Sequence, residues 1–379
     1  MKLKDIGTIV TGNTPSKRNN EYYESDDILF VKPSDIEENY ITNIESSEEY
    51  ISEKAREKAR ILPEGAVLVT CIGTIGKVGI LSQEATCNQQ INAIIPNDKV
   101  ISKYLAYLIQ SKQKILKLKA NAPVVPIINK TDFSEIEINI CDVNKQKEIV
   151  DQLDLLKTII DKRKIQIEKL QNIIKSQFVE MFENENKYVN LEDVCVFING
   201  DRGKNYPSAD KISKDPSGIP FINAGLLINN TVDWKNMNYI SEDTYNKLGS
   251  GKIQKEDILY CLRGSLGKHS IIDFDGKGAI ASSLVILRAD KSKIQPDFLL
   301  IQLGMDEILR QQNQANNGSS QPNLSAGSVK KYIIKLPSLE LQNKFAEFVK
   351  QIDKQKFEIE NSLKEMQELY ESLMEKYFG

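Results

Sequence analysis

One histidine, His269, and five cysteines are all the imidazole and thiol that the 379 residues offer. No Cys/His cluster has the spacing of a zinc site. No Gly-x-Ser-x-Gly elbow occurs, so a Ser-His-Asp hydrolase would have to be assembled on His269 alone. No apolar run approaches the roughly 18 residues of a membrane span. The opening MKLKDIG carries lysines but lacks the apolar stretch of a signal peptide. The cysteines are scattered and odd in number, which points to a reducing compartment and a cytoplasmic protein. Cys71 and Cys261 lie in apolar stretches and read as buried strand residues. Bulk positive charge is also missing, since the net charge is −3. Residues 1–143 carry 17 basic and 20 acidic side chains, and residues 190–340 carry 18 and 17. A chain that gripped nucleic acid by bulk charge would be basic. Any binding to DNA falls to a local face, or draws on a positive field from a partner.

A nucleotide loop is excluded as well. CIGTIGK at residues 71–77 and CLRGSLGK at 261–268 look like fragments of one. A phosphate loop needs four residues between its first glycine and the Gly-Lys pair, then Ser or Thr for magnesium. Gly73 and Gly76 have two residues between them, Val78 follows Lys77, and His269 follows Lys268. The two stretches instead belong to a repeat of the whole chain. Gly12 matches Gly200 at an offset of 188, Ile51 matches Ile240 at 189 and Cys71 matches Cys261 at 190. Gly73 matches Gly264 at 191, Ile101 matches Ile294 at 193 and Gln146 matches Gln342 at 196. The order never scrambles and the offset grows slowly. The period is far longer than that of a solenoid.

Each copy opens with a region of short apolar, β-branched runs broken by Gly, Pro and Asn. ILFVK, GAVLVTCI and INAIIP recur as IPFINA, EDILYCL and SLVILRA. Helix-like stretches follow, SKYLAYLIQSKQKILKLK in the first copy and DFLLIQLGMDEILRQQ in the second. These patterns predict an α+β domain in each copy. Each copy closes with an unbroken helical pattern. In the first, Ile149, Leu153, Leu156, Ile160, Arg163, Ile167, Leu170, Ile174, Gln177 and Met181 alternate steps of four and three. In the second, Phe345, Val349, Ile352, Lys356, Ile359, Leu363, Met366, Tyr370, Leu373 and Tyr377 keep the register at an offset of 196. That average step describes a coiled-coil seam. Some 40 residues would span roughly 60 Å. Packing of each helix on its own domain is the plainer alternative, but such a helix overhangs a domain of this size. If the second domain's termini lie close together, the two helices pair antiparallel about a pseudo-two-fold axis. The expected boundaries are 1–143 and 187–340 for the domains, and 144–186 and 341–379 for the helices. Arg163 and Lys356 either fix the register of the seam or reach out to solvent.

Two similar heads on a stiff spacer suit a target with its own repeat, as DNA half-sites have. The loop NTPSKRNNEYYESDD of one head is replaced by DRGKNYPSADKISKDPSG in the other. Thr14, Ser16, Lys17 and Arg18 in the first, and Arg202 and Lys204 in the second, are side chains that reach phosphates and base edges. A merely solvated loop is the other reading. Gly73, Thr74, Gly76 and Lys77, and likewise Gly264, Ser265, Gly267 and Lys268, could press main-chain N–H groups against a phosphate or form a plain turn. Arg263 suits guanine or phosphate. Asn88 and Gln89 of CNQQ suit adenine, or else a strand edge. A two-headed scaffold that binds no DNA is the competing class.

The stretch GSSQPNLSAGSVKKYIIKLPSLELQNKFAEFVKQID, residues 318–353, resembles specificity subunits of type I restriction-modification systems. The first copy has NAPVVPIINK where the second has GSSQPNLS. The resemblance implies two target recognition domains, each followed by a conserved helix, with Gln321 and Asn323 among the DNA contacts. It implies a non-catalytic subunit that reads bipartite double-stranded DNA. It also implies two DNA-methyltransferase (modification) subunits, which hold S-adenosylmethionine and methylate adenine. A restriction subunit, where one joins, would use ATP and magnesium. No cofactor is expected on this chain itself.

Overall fold

The computed structural model describes residues 1–120, 125–315 and 323–379. The chain divides into two units, Met1–Ile165 with Glu360–Gly379, and Gln166–Ile359. The first copy supplies strands β1 (Gly7–Thr11), β2 (Ile28–Val31), β3 (Ile41–Ile44), β4 (Tyr50–Ile51), β5 (Val67–Thr70), β6 (Val78–Leu81), β7 (Ala85–Cys87) and β8 (Ile91–Pro96). Helices α1 (Ser102–Ser111), α2 (Gln113–Lys119) and α3 (Lys130–Ser134) follow, then α4 (Val143–Phe182). The second copy runs β9 (Tyr188–Asn190), β10 (Cys195–Asn199), β11 (Ile219–Ile222), β12 (Leu227–Ile228), β13 (Thr231–Val232), β14 (Tyr239–Ile240) and α5 (Glu242–Lys247). It continues with β15 (Ile258–Cys261), β16 (His269–Ile271), β17 (Ala279–Ile280), β18 (Leu284–Ala289), α6 (Pro296–Leu303), α7 (Asp306–Ala315), α8 (Ala326–Lys330) and β19 (Ile333–Lys335). Helix α9 (Leu339–Phe378) closes it.

The two sheets of unit 1 have strand orders β1-β8-β5-β6-β3 and β4-β2-β7, and β10-β18-β15-β16 and β14-β11-β17 repeat them in unit 2. Even the parallel pairings recur. Strand β2 runs parallel to β7 as β11 does to β17, and the parallel pair β3–β6 has as its counterpart a parallel bridge between Asn230 and Ser270. The apolar runs are continuous because the main sheet is covered on both faces. Val67, Val69 and Ile94 pack under Tyr104, Leu105 and Leu108 of α1. The alternate residues Leu68 and Ala93 face Leu29, Val31 and Cys87 of the smaller sheet. Unit 2 does the same, with Ile258, Tyr260 and Leu287 under Phe298 and Leu299, and Leu259, Cys261 and Ile286 against Ile222 and Ile280. Cys71 and Cys261 are buried as strand-end residues, and burial pushes the Cys71 thiol up to about 12.

Each helix-like stretch after the strands is two helices rather than one. Lys112 breaks the first, and its Nζ donates to Phe378 O at 2.5 Å. Gly304 ends α6 in the second. The repeat register also tightens by one residue. Buried Gln146 accepts from Ile101 N–H at 3.0 Å, and buried Gln342 accepts from Gln295 N–H at 2.8 Å. Ile101 therefore corresponds to Gln295 rather than to Ile294.

Helices α4 and α9 are each 40 residues long. All twenty seam positions named above are buried or half-buried, Arg163 and Lys356 among the latter. In unit 1 the opening of α4 meets the close of α9: Tyr377 OH donates to Gln152 Oε1 at 2.8 Å, and Phe378 lies 5.1 Å from Tyr104. In unit 2 the close of α4 meets the opening of α9, with Phe178 and Phe182 at 5.5 and 5.4 Å from Phe345. Opposite ends meet in each unit, as an antiparallel pair requires. No helix among the described residues is long and apolar enough to cross a membrane.

Candidate nucleic-acid interface

Strand register decides where the loops of unit 1 open. Thr11 pairs with Asn92, Thr70 with Ile91 and Val69 with Val78. The end of β1, the start of β8, the end of β5 and the start of β6 therefore share one end of the sheet. The polar loop after β1, the turn 71–77 and the turn 88–90 all open there. Gly12 sits so close to the next strand that a Cβ would lie 2.3 Å from Cys87 O. Thr14 Oγ1 donates to Gln89 Oε1 at 2.8 Å, which joins two of the three loops. Ser16, Lys17 and Arg18 are exposed. Lys17 lies 3.6 Å from Glu49, whose carboxyl is held below its ordinary value chiefly by Lys32. In the glycine turn, Gly76 N–H donates to Thr70 O at 2.9 Å, and φ is +76° at Gly73 and +84° at Gly76. A Cβ on Gly73 would meet nothing within 4 Å, so the tip of this turn is open, and Thr74 beside it is exposed.

Two of the candidates turn inward. Lys77 Nζ donates to Pro33 O at 2.9 Å. Asn88 is buried, its Nδ2 donating to Gln90 Oε1 at 2.9 Å and its Oδ1 accepting from Gln90 N–H at 3.0 Å. Gln89 is the exposed amide of that turn. One exposed cation at this end went unread in the sequence. Arg60 donates to Thr11 O at 2.6 Å, and its N–H donates to Asn13 Oδ1 at 2.8 Å. It lies in no motif, and only the fold brings it beside the loop.

Unit 2 repeats the arrangement. Asn199 pairs with Val285, Cys261 with Leu284 and Tyr260 with His269. Gly267 N–H donates to Cys261 O at 3.1 Å, with φ +81° at Gly264 and +73° at Gly267. Gly264 has open space around it, whereas a Cβ on Gly267 would lie 1.8 Å from Gln312 Oε1. Arg263, Ser265 and Lys268 are exposed, and Asn323 is exposed opposite Arg263. Gln321 lies outside the described residues. Arg202 Nη2 donates to Ser282 O at 3.1 Å, and Lys204 is exposed beside it. Asp201 shapes this loop. Its two oxygens accept from Gly203 and Gly249 N–H, both at 2.7 Å, and those bonds hold its carboxyl below the usual range.

His269 is a structural residue of the same turn. Its Nδ1 is 2.7 Å from Gly267 O, and its ring lies against Tyr260 with centroids 6.2 Å apart. Burial pushes its imidazole below the ordinary value. Among the described residues no group of three His, Cys, Asp or Glu side chains could hold a metal ion.

The description "Type I restriction modification DNA specificity domain" matches residues 1–170 and again 183–369. The chain belongs to that family. A type I restriction enzyme specificity subunit of Methanocaldococcus jannaschii, MjaIX, is 26% identical over 373 residues, 92% of this chain and 85% of its own. The HindI specificity subunit of Haemophilus influenzae is 34% identical over 152 residues, 39% of this chain and 32% of its own. Among solved structures, an S subunit of a type I system from M. genitalium has a TM-score of 0.58 at 15% identity, over 100% of this chain and 95% of that one. A chain from a study of complex assembly and conformational transition in a type I system reaches 0.63 at 17%, over 100% and 96%. At those identities the structural likeness speaks for the fold alone. As a member of the family this specificity chain recognises DNA and is not the catalytic subunit. The reading as a scaffold without DNA falls with that assignment.

Proposed function

We propose that each unit reads one half of a bipartite double-stranded DNA sequence, and that the chain directs adenine methylation by two modification subunits. Those subunits supply S-adenosylmethionine. Where a restriction subunit joins, it brings ATP, magnesium and cleavage. The supporting observation is that the same segments gather at the same sheet end in both units: a polar loop, a glycine turn and a short turn between sheets. Thr14, Ser16, Lys17, Arg18, Gln89 and Arg60 stand there in unit 1, and Arg202, Lys204, Arg263, Ser265, Lys268 and Asn323 in unit 2. Local donors of this kind suit phosphate and base contacts without a basic chain overall.

The division of labour is tested by exchanging residues 187–340 for the matching region of a relative and mapping adenine methylation in cells that carry the modification subunits. One half-site should change and the other persist. If both changed together, the units would not read independently.

A further inference from the structure

The residue pair flanking each glycine turn has opposite chemistry in the two units. Ile72 stands antiparallel to Ile127 in unit 1, and Arg263 stands antiparallel to Asn323 in unit 2. These are the same place in the repeat, since Ile72 precedes Gly73 as Arg263 precedes Gly264. The backbone is tied in the same way. Ile128 N–H donates to Cys71 O at 2.9 Å and Gly73 N–H to Pro126 O at 3.0 Å, while Leu324 N–H donates to Leu262 O at 2.9 Å. Directly opposite residues of an antiparallel pair project from one face. That face offers a guanidinium and a carboxamide in unit 2, and two branched alkyl groups in unit 1.

Ile127 is not there to fill a core. Ile127 is 42% exposed and Val125 is 43% exposed, while Ile75, Leu116 and Ile128 fill the interior beside them. A single exposed isoleucine is ordinary. Exposed Ile127 beside half-buried Ile72, at the position where the sister unit carries Arg and Asn, calls for a ligand feature of its own. Isoleucine has no donor or acceptor, so it cannot read hydrogen-bonding base edges. The apolar feature of the major groove is the thymine 5-methyl group.

We propose that Ile72 and Ile127 read a thymine methyl in the half-site of unit 1, at the place where Arg263 and Asn323 read purine edges in unit 2. The assignment rests on the DNA reading above and deepens it. It makes the glycine-turn flank a position at which the two units differ in kind of readout.

The test uses the chain assembled with its modification subunits and duplexes that carry the mapped target. Each thymine of the unit 1 half-site is replaced in turn by deoxyuridine, which keeps every pairing group and removes only the methyl. One replacement should weaken binding roughly threefold to tenfold, as expected for burial of one methyl group. In Ile127→Ser, altered at an exposed position, that sensitivity should disappear. In the unit 2 half-site, 7-deazaguanine at one guanine should weaken binding, and Arg263→Ala should remove the effect. If no deoxyuridine weakens binding while whole base-pair changes in that half-site do, this assignment is wrong and the DNA reading stands. A unit 1 half-site without thymine has the same meaning. If whole base-pair changes in that half-site are also neutral, the DNA reading of unit 1 fails with it.

Discussion

Two glutamines show how a single side chain can close a domain. Gln342 accepts from Gln295 N–H and donates to Lys293 O at 3.1 Å and Pro337 O at 2.9 Å. Gln146 makes the same three bonds, to Ile101, Lys99 and Cys141. Each joins the start of a long helix to the loop before the domain's own helix. Gln342→Leu keeps the volume and strands three backbone groups in a buried place. It should cost roughly 2–3 kcal/mol, since each unmet buried group costs about 1 kcal/mol or more. Denaturant unfolding measures this, and a loss below ~0.5 kcal/mol would contradict the account. His269 makes a pH-dependent prediction. Its imidazole is half-buried in the fold, and desolvation holds its pKa below the ordinary ~6.5. As pH falls, the unfolded chain therefore takes up the proton first. The fold is spared this penalty above about pH 6.5 and loses stability as pH drops from there toward the folded value. His269→Gln should remove that slope, so the difference in stability between variant and parent should shift between pH 7.5 and 5. A constant difference would show that the histidine does not titrate in this way.

The elements divide into those with a period and those without. The seam of α4 and α9 was legible because steps of four and three persist over ten positions in each helix, and all of those positions are covered. The buried strands were legible as continuous apolar runs. Side-chain direction at the loops was not. Lys77 reads as part of a phosphate-facing or plain turn, and its Nζ donates to Pro33 O, while Asn88 reads as an adenine-reading or strand-edge amide and closes its own turn. The Lys77 outcome depends on a segment 44 residues away, whereas Asn88 closes a local turn with Gln90, the strand-edge alternative that its sequence also allowed. The one-residue slip at Ile101 has the same origin as the Lys77 outcome, because the backbone bond to Gln146 sets the alignment. At the glycine turn, the two members of each pair separate shape from contact. Gly264 and Gly267 both have positive φ, which strains any other residue by about 1 kcal/mol or more. Only at Gly267 would a Cβ also displace a neighbour, the Gln312 amide that accepts from Tyr260 OH. Gly264→Ala should leave a folded protein with weakened DNA binding if the turn lies against a phosphate, whereas Gly267→Ala should lose more stability. Unchanged affinity in Gly264→Ala would reduce this segment to a plain strand-to-strand turn.

At the scale of the molecule, the proposed bipartite reading assigns to the helices, which share one heptad register, the length of DNA left unread between the two half-sites. Seven residues inserted into both helices preserve the seam and add roughly 10 Å, about three base pairs at ~3.4 Å each. The half-sites recognised should stay the same while the spacer lengthens. The far half-site also turns by about 100° on a ~10.5-pair repeat, so affinity should fall. Insertion into one helix alone should abolish specific methylation. Methylation mapping with an unchanged spacer in the doubly inserted protein would refute this role for the helices. The contacts of Phe378 and Tyr377 also bear on how the chain is made. Unit 2 is one continuous stretch, Gln166–Ile359, whereas unit 1 draws on Glu360–Gly379. The usual order, in which the N-terminal domain is complete and folds first during synthesis, therefore does not hold here. Every residue of the unit 2 core lies within 166–359, so it can close without residues 360–379, whereas the aromatic surface around Tyr104 waits for residues made some two hundred codons after the rest of unit 1. Released chains truncated after residue 359 should resist protease in unit 2 and be cut in unit 1, and the unfinished first unit is where a chaperone would be needed.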